Sequence, residues 1–217
     1  MAVARRPAAL AGRPRRRFRL LRAASLLCLL VGLYLLGSFA YGIWHGVTEQ
    51  QRLNQIWQGE VGTRAPILRG LHRSLEHPVN GIDFAIRVPK LGYYAAVKEG
   101  VDSAALYAGP GHYPTTMWPG DPGTVGVAAH NMYWINFPQL KAGDEIDLIT
   151  RYGLYRYRMT GSQIVEPNNR TVLIPHSDGY HLTLTTCWPT WAGVFSTQRY
   201  IIFTVQVWPV PTKPGYT

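Results

Sequence analysis

The first long hydrophobic stretch of the chain covers residues 23–44 and contains no charged side chain. A run of about 20 apolar residues is long enough to cross a bilayer as a helix. Because arginines precede the run, the positive-inside rule places the N-terminus in the cytoplasm and the remainder outside. A cleaved signal peptide is the alternative, but its apolar core is normally shorter and its cleavage site is marked by small residues. The pattern predicts a single-pass membrane anchor.

The following segment, residues 45–81, changes character at about its midpoint. Leu53, Ile56 and Trp57 have the spacing of one face of a helix, which predicts a short juxtamembrane helix. Residues 62–81 mix glycine, proline, histidine and arginine without periodicity. Such a composition is typical of a linker.

From residue 82 onwards, the hydrophobic pattern is that of short β-strands. Phe84, Ile86 and Val88 alternate with Ala85 and Arg87. Further strand patterns, separated by turns rich in glycine and proline, occupy residues 93–97, 124–129, 145–150, 154–163, 183–187 and 200–207. Many short strands with little helix predict an all-β barrel or sandwich. We assign this domain to residues 82–210 and a tail to residues 211–217.

The charge of the chain is concentrated before the apolar run. The formal net charge is +10, and eight arginines lie within residues 1–22 with no acidic residue among them, which leaves +2 for the remainder. An arginine-rich segment beside a hydrophobic run is typical of a cytoplasmic leader. We therefore expect no nucleic-acid partner for the folded domain.

The two cysteines differ in their surroundings. Cys28 lies inside the apolar run and Cys187 far from it, so no disulfide framework is expected. Cys187 ends one strand and Arg199 begins the next. If these strands are antiparallel neighbours, the thiol lies beside a permanent positive charge, which favours a thiolate. A packed, inert thiol is the alternative for a lone cysteine.

Histidines and acidic residues supply further candidates for the site. Two histidines are candidates for a catalytic acid or base. His130 directly follows the predicted strand at residues 124–129, whereas His112 lies in a predicted loop. A zinc site is disfavoured because there is one cysteine outside the apolar run and no short pair of ligands. The spacing of the acidic residues does not specify a calcium site, for which the candidates are Asp144, Asp147, Glu166 and Asp178.

Several of these segments resemble one known family. Residues 183–187, Thr-Leu-Thr-Thr-Cys, resemble the TLxTC signature of the sortases, and Arg199 stands where that family has an arginine. Residues 109–130 are similar to the family's region from GPGHYP to the histidine, and residues 87–90 to its first-strand IPK pattern. The resemblance covers roughly residues 82–207 and departs from the usual pattern at Thr124, Ala129 and Asn131.

The resemblance implies a fold and a set of site residues. Sortases are membrane-anchored cysteine transpeptidases with an eight-stranded β-barrel, here with short helical turns and one preceding transmembrane helix. By similarity, Cys187 is the nucleophile and His130 the general acid and base. Arg199 would bind the oxyanion or the substrate backbone, and Thr186 would support either one. No cofactor is implied, although some sortases bind calcium.

The resemblance also implies a reaction and its partners. An exported protein with an LPXTG- or LAXTG-type sorting signal is cleaved after threonine through a thioacyl-enzyme. An amine of a peptidoglycan precursor, or a pilin lysine, then resolves that intermediate. The pattern is most similar to classes D, E and F. The alternatives are a pilin-polymerising or hydrolytic sortase and an inactive, membrane-tethered binding module. An unrelated cysteine peptidase is disfavoured because its catalytic cysteine would begin a helix, whereas Cys187 ends a predicted strand.

Overall fold

The computed structural model describes residues 14–61, 72–169, 171–173 and 179–210. Most of the predicted leader, part of the predicted linker, the tail, and Asp178 therefore lie outside the described residues. Helix α1 spans Pro14–Val61, and the chain divides into two compact units between His45 and Gly46. One helical segment, Phe18–Val61, contains a window long and apolar enough to cross a membrane, and it includes the predicted anchor.

The second unit contains a closed β-barrel of eight strands. Around the barrel the order is β1-β2-β3-β4-β7-β8-β6-β5. The strands are β1 Ile82–Val88, β2 Tyr93–Glu99, β3 Gly111–His112, β4 Gly123–Ala129, β5 Glu145–Thr150, β6 Gly153–Val165, β7 Tyr180–Trp188 and β8 Gln198–Trp208. The expectation of an eight-stranded all-β barrel is confirmed, and closure removes the exposed edges that an open sheet would leave.

Local sequence signals account for most of these elements. Helix α2, Ser103–Tyr107, begins after Asp102, whose carboxylate accepts a hydrogen bond of 2.8 Å from the Ala105 amide. Strands β5 and β6, both expected from the sequence pattern, form a hairpin in which Thr150 pairs with Gly153. Strand β4 is buried at all seven positions, as its continuous apolar sequence predicts.

The last turns of α1 belong to the barrel unit. Leu53 and Trp57 are buried in the same hydrophobic cluster as the residues of β1, β2 and β5. Trp57 Nε1 donates to the Ile149 carbonyl at 3.2 Å, and Asn54 Oδ1 accepts from the Ala96 amide at 2.7 Å. The apolar helical face seen in the sequence is thus the face that packs against the barrel.

Candidate active site

Cys187 and Arg199 lie opposite each other near one end of the barrel. Strands β7 and β8 are antiparallel, and their register pairs Cys187 directly with Arg199. Side chains opposite each other on adjacent antiparallel strands have Cβ atoms about 4.5–5.5 Å apart. The hairpin geometry therefore gives the thiol and the guanidinium the adjacency expected from the sequence.

His130 reaches the same end from the other side of β7. Strands β4 and β7 are parallel, and Ala129 pairs with Thr186. His130 and Cys187 each directly follow this last pair of the β4–β7 ladder, so they lie at the same end of the two strands. The Thr186 hydroxyl donates to the Ala129 carbonyl at 2.9 Å. Thr186 is buried, and its hydroxyl proton is used to join the strands that carry His130 and Cys187.

These four side chains line one pocket. Its volume is about 230 Å³, and its polar wall contains His130, Thr186, Cys187 and Arg199. Val101, Leu106 and Ala128 contribute apolar surface to the wall. Cys187 is half-buried, so its thiol is neither enclosed in the core nor fully in solvent. A concave site with a few convergent polar groups and apolar walls is typical of a small ligand or catalytic site.

A larger groove adjoins this pocket. It has a volume of about 540 Å³ and shares Tyr113, Thr185 and Arg199 with the pocket. The Tyr113 hydroxyl and Thr185 Oγ1 are hydrogen-bonded at 3.2 Å, which fixes the wall that the two cavities have in common. The far side of the groove contains Pro167, Asn169, Val172 and Leu173. An extended peptide could therefore lie across the groove with one end at Cys187.

The charges of the site differ in their surroundings. The half-buried Arg199 donates to the Gln198 carbonyl at 3.1 Å, and it forms no ion pair with a carboxylate in the described part of the chain. Its charge is therefore available to a bound group. His130 is exposed as a whole residue. Partial desolvation of its imidazole nevertheless lowers the pKa of the ring below its ordinary value. The lowered pKa favours a neutral ring at neutral pH.

Protonation of His130 should couple to folding. Because the folded state holds this proton less tightly than the unfolded state, the free energy of unfolding should fall as pH drops through about 6.5, the ordinary value of histidine, to the folded pKa. Above a pH of about 6.5, the stabilisation that comes from the lowered pKa of His130 is fully present. We expect His130→Gln to flatten this part of the profile, measured by denaturant unfolding of the full chain in detergent. Identical slopes in both proteins would contradict the expectation.

His112, the alternative base, occupies a different environment. Its side chain is buried in the barrel, where its ring lies 5.1 Å from that of Phe84 and 5.5 Å from that of Trp118 between centroids. Its Nδ1 lies 2.7 Å from Asp83 Oδ2, and this carboxylate is buried as well. His112 does not line the pocket that contains Cys187. The structure thus separates the two histidines that the sequence left in competition.

Both ring nitrogens of His112 face hydrogen-bond acceptors. Nδ1 faces the Asp83 carboxylate, and Nε2 lies 3.1 Å from the Met117 carbonyl and 3.2 Å from Thr116 Oγ1. The Thr116 hydroxyl also donates to the Tyr113 carbonyl at 2.8 Å. Each ring nitrogen of His112 therefore has a partner inside the barrel. The buried His112–Asp83 pair therefore holds the loop that contributes Tyr113 and Thr116 to the groove.

Sequence reasoning did not identify Asp83. The strand register shifts between Ile82 and Phe84, so an irregularity lies at Asp83 and the acidic side chain is buried together with its apolar neighbours. Bulges re-aim side chains in this way. The available signal was an acidic residue in an otherwise apolar strand start, Ile82-Asp83-Phe84, for which burial demands a partner.

The acidic residues considered for calcium have other partners where they are described. Asp147 is fully buried and accepts from Arg87 at 2.6 Å and from Arg156 at 2.8 Å. Asp144 lies 2.7 Å from Lys90 Nζ. Across the described ranges, no group of three or more histidine, cysteine or acidic residues is placed to hold a metal ion.

Comparisons with known proteins identify relatives of this chain. Sortase D of Bacillus subtilis (strain 168) is 27% identical over 123 residues, which is 56% of this chain and 62% of that protein. The match thus spans less than two thirds of the length of this relative. A structure of sortase E from Streptomyces avermitilis has a TM-score of 0.52 and 28% identity, and the match covers 60% of this chain and 90% of that chain.

A second structure supports the fold. The Clostridium perfringens sortase D5 transpeptidase has a TM-score of 0.62 at 23% identity, and the match covers 74% of this chain and 99% of that chain. The family model described as the sortase domain matches residues 86–207. That range is more than half of the chain, and it contains the strands that bring His130, Cys187 and Arg199 into one pocket. The chain therefore belongs to the sortase family.

Proposed function

We propose that the protein is a cysteine transpeptidase that joins exported proteins to a cell-wall amine. The observation that supports this most directly is the pocket lined by His130, Cys187 and Arg199, which come from the ends of three adjacent strands. A thiol, an imidazole and a guanidinium would supply the nucleophile, the proton carrier and the positive charge that acyl transfer requires.

The first half of the reaction forms a thioacyl-enzyme. The neutral His130 imidazole takes the Cys187 proton as Sγ attacks the carbonyl carbon of the threonine in the sorting signal. The carbonyl oxygen becomes the oxyanion of a tetrahedral intermediate. Collapse of this intermediate restores the carbonyl and breaks the C–N bond. His130, now an imidazolium, gives its proton to the departing amine. The lowered pKa of His130 suits this order, because the free ring is available as a base and its conjugate acid is strong.

The second half transfers the acyl group to a new amine. The amine nitrogen attacks the thioester carbon, His130 removes a proton from that nitrogen, and the Cys187 sulfur leaves. Arg199 stabilises the thiolate and donates hydrogen bonds to the oxyanion or to the substrate backbone. Thr186 acts as a positioning residue, because its hydroxyl bond to Ala129 fixes the two strand ends.

The adjoining groove is the proposed site for the sorting signal. Thr185, Ile201 and Leu173 offer small and apolar surface, while Asn169 and Arg199 offer polar groups along the same cavity. This mixture suits an LPXTG- or LAXTG-type peptide, which is mostly apolar with one hydroxyl side chain. The anchor at residues 23–44 would hold the enzyme in the cell membrane with a cytoplasmic N-terminus, so that the barrel meets its substrates outside.

Mass spectrometry of the full chain in detergent tests the proposal. We expect incubation with a small library of LPXTG and LAXTG peptides to add the mass of the peptide up to threonine to Cys187. Addition of an amine should then release a ligated product, and the ratio of products with oligoglycine, diaminopimelate-type amines and lysine peptides should identify the acceptor. Cys28→Ser is the matched control and should form the same adduct.

Two outcomes would contradict the proposal. Peptide binding without an adduct would indicate an inactive binding module. Release of the free acid alone, in the presence of every amine, would indicate a hydrolytic enzyme.

A further inference from the structure

Large apolar side chains are exposed on chain segments that adjoin, in sequence, the residues that line the Cys187 pocket. Trp191, Val194 and Phe195, in the β7–β8 loop, are 80%, 93% and 83% exposed. Three more exposed apolar side chains lie at the last position of α2 or in the turn after β4. We call this set the apolar rim, and its members are Tyr107, Met132, Ile135, Trp191, Val194 and Phe195. Such a concentration of exposed apolar surface marks an interaction site.

Hydrogen bonds hold the three segments of the apolar rim together. The Asn131 side chain donates to the Gly193 carbonyl at 3.2 Å and to Ser196 Oγ at 3.1 Å. The Tyr133 hydroxyl donates to the Tyr107 carbonyl. The turn after β4 is therefore tied to the β7–β8 loop on one side and to the end of α2 on the other. These contacts give the rim a fixed scaffold.

The apolar rim also lies beside the start of the second unit. A methyl group in place of the Gly46 hydrogen would be 2.8 Å from the Tyr133 hydroxyl and 3.1 Å from the Tyr107 carbonyl. Trp44, the last residue of the predicted span, precedes Gly46 by two residues, a separation that the chain can extend to about 7 Å at most. Covalent connectivity alone therefore limits the distance from Trp44 to the residue that contacts Tyr107 and Tyr133 to about 7 Å.

We propose that the apolar rim inserts into the outer interfacial layer of the membrane. Trp191, Phe195 and Tyr107 are aromatic, and tryptophan and tyrosine are enriched at this layer because their amphipathic rings suit it. The two-residue connection from Trp44 to Gly46 limits how far Tyr107 and the turn after β4 can lie from the end of the predicted span, which argues for a lipid surface as the occupant of the rim. This inference relies on the proposed function only for the placement of the barrel outside the cell. The Cys187 pocket would then open at the membrane surface, within reach of membrane-tethered substrates.

Fluorescence quenching by brominated lipid tests the insertion. The full chain is reconstituted in nanodiscs with and without brominated phosphatidylcholine, and the emission of Trp191 is obtained as the difference between the wild type and Trp191→Phe. We expect brominated lipid to remove a large fraction of this emission. Trp208→Phe provides the control, because Trp208 is 44% exposed at the far end of β8 and its emission should be unaffected. An unquenched Trp191 would overturn the proposal and would favour a protein partner.

An activity measurement separates this inference from the proposed function. The variant Val194→Asp/Phe195→Asp changes two exposed side chains outside the pocket and groove. We expect it to ligate a short soluble sorting peptide at the wild-type rate, and a lipid-tethered peptide in the same nanodiscs several-fold more slowly. Equal rates on the tethered peptide would count against the rim. A wild type that ligates neither peptide but has a quenched Trp191 would contradict the proposed function and leave the rim supported.

Discussion

Cys187→Ala is expected to abolish both the thioacyl adduct and the ligated product. The substitution removes the proposed nucleophile, while His130 and Arg199 remain in the pocket. Loss of a nucleophile in a comparable catalytic set lowers kcat on the order of 10⁴-fold or more. The measurement is single-turnover ligation of a sorting peptide to an amine, followed by mass spectrometry.

The loss should not reflect misfolding. Cys187 is half-buried at a strand end, so removal of one sulfur should change the free energy of unfolding by no more than about 1 kcal/mol. Cys28→Ser, which alters a cysteine in the candidate span, should ligate like the wild type. Residual ligation by Cys187→Ala within tenfold of the wild type would show that another group is the nucleophile.

Asp83→Asn is expected to destabilise the barrel by about 2 kcal/mol, since an amide replaces the buried carboxylate that holds His112 and a hydrogen bond to a charged group is worth more than one to a neutral group. Asp83 and His112 are almost fully buried and 2.7 Å apart, and the second ring nitrogen of His112 is held by two further acceptors. Equilibrium unfolding of the full chain in detergent measures the effect. A reduced affinity for the sorting peptide should accompany it, because the pair supports the loop that carries Tyr113.

A double variant distinguishes a charged pair from simple packing. Replacing both partners, as in Asp83→Leu/His112→Leu, removes both buried polar groups together, so its cost should be smaller than the sum of the single substitutions. Lys90→Ala provides an exposed comparison. It breaks the partly exposed pair with Asp144 and should cost at most about 1 kcal/mol. An Asp83→Asn cost as small as that of Lys90→Ala would indicate that no buried ion pair exists.

The pairing of Cys187 with Arg199 could be predicted from sequence because it is local. Twelve residues separate them, both lie at strand ends, and a hairpin brings such ends together. The apolar run at residues 23–44 and the helical face of Leu53 and Trp57 are also local patterns, and their periods alone identified them. The expectation of eight strands did not come from such local patterns, because it followed from the resemblance to the sortases.

Contacts between distant strands could not be predicted in this way. Nothing in the residues before His130 specifies that β4 runs parallel to β7, and the sequence alone left His112 as a competitor. Strand pairing depends on which faces can be buried together across the whole barrel, and not on the pattern of one strand. The apolar rim likewise joins three segments that are remote in sequence.

The sequence by itself determined the apolar run, the short alternating strands and the chemical groups at their ends, because helix and strand periods and residue types are written into each segment. Only the tertiary structure decided which histidine stands beside Cys187 and which is enclosed with Asp83. The physical reason is that burial and strand pairing across the whole barrel determine where each polar side chain lies. His130 follows the last ladder pair of two parallel strands and reaches the pocket, whereas an irregularity in β1 turns Asp83 inward, where a buried carboxylate must have a partner.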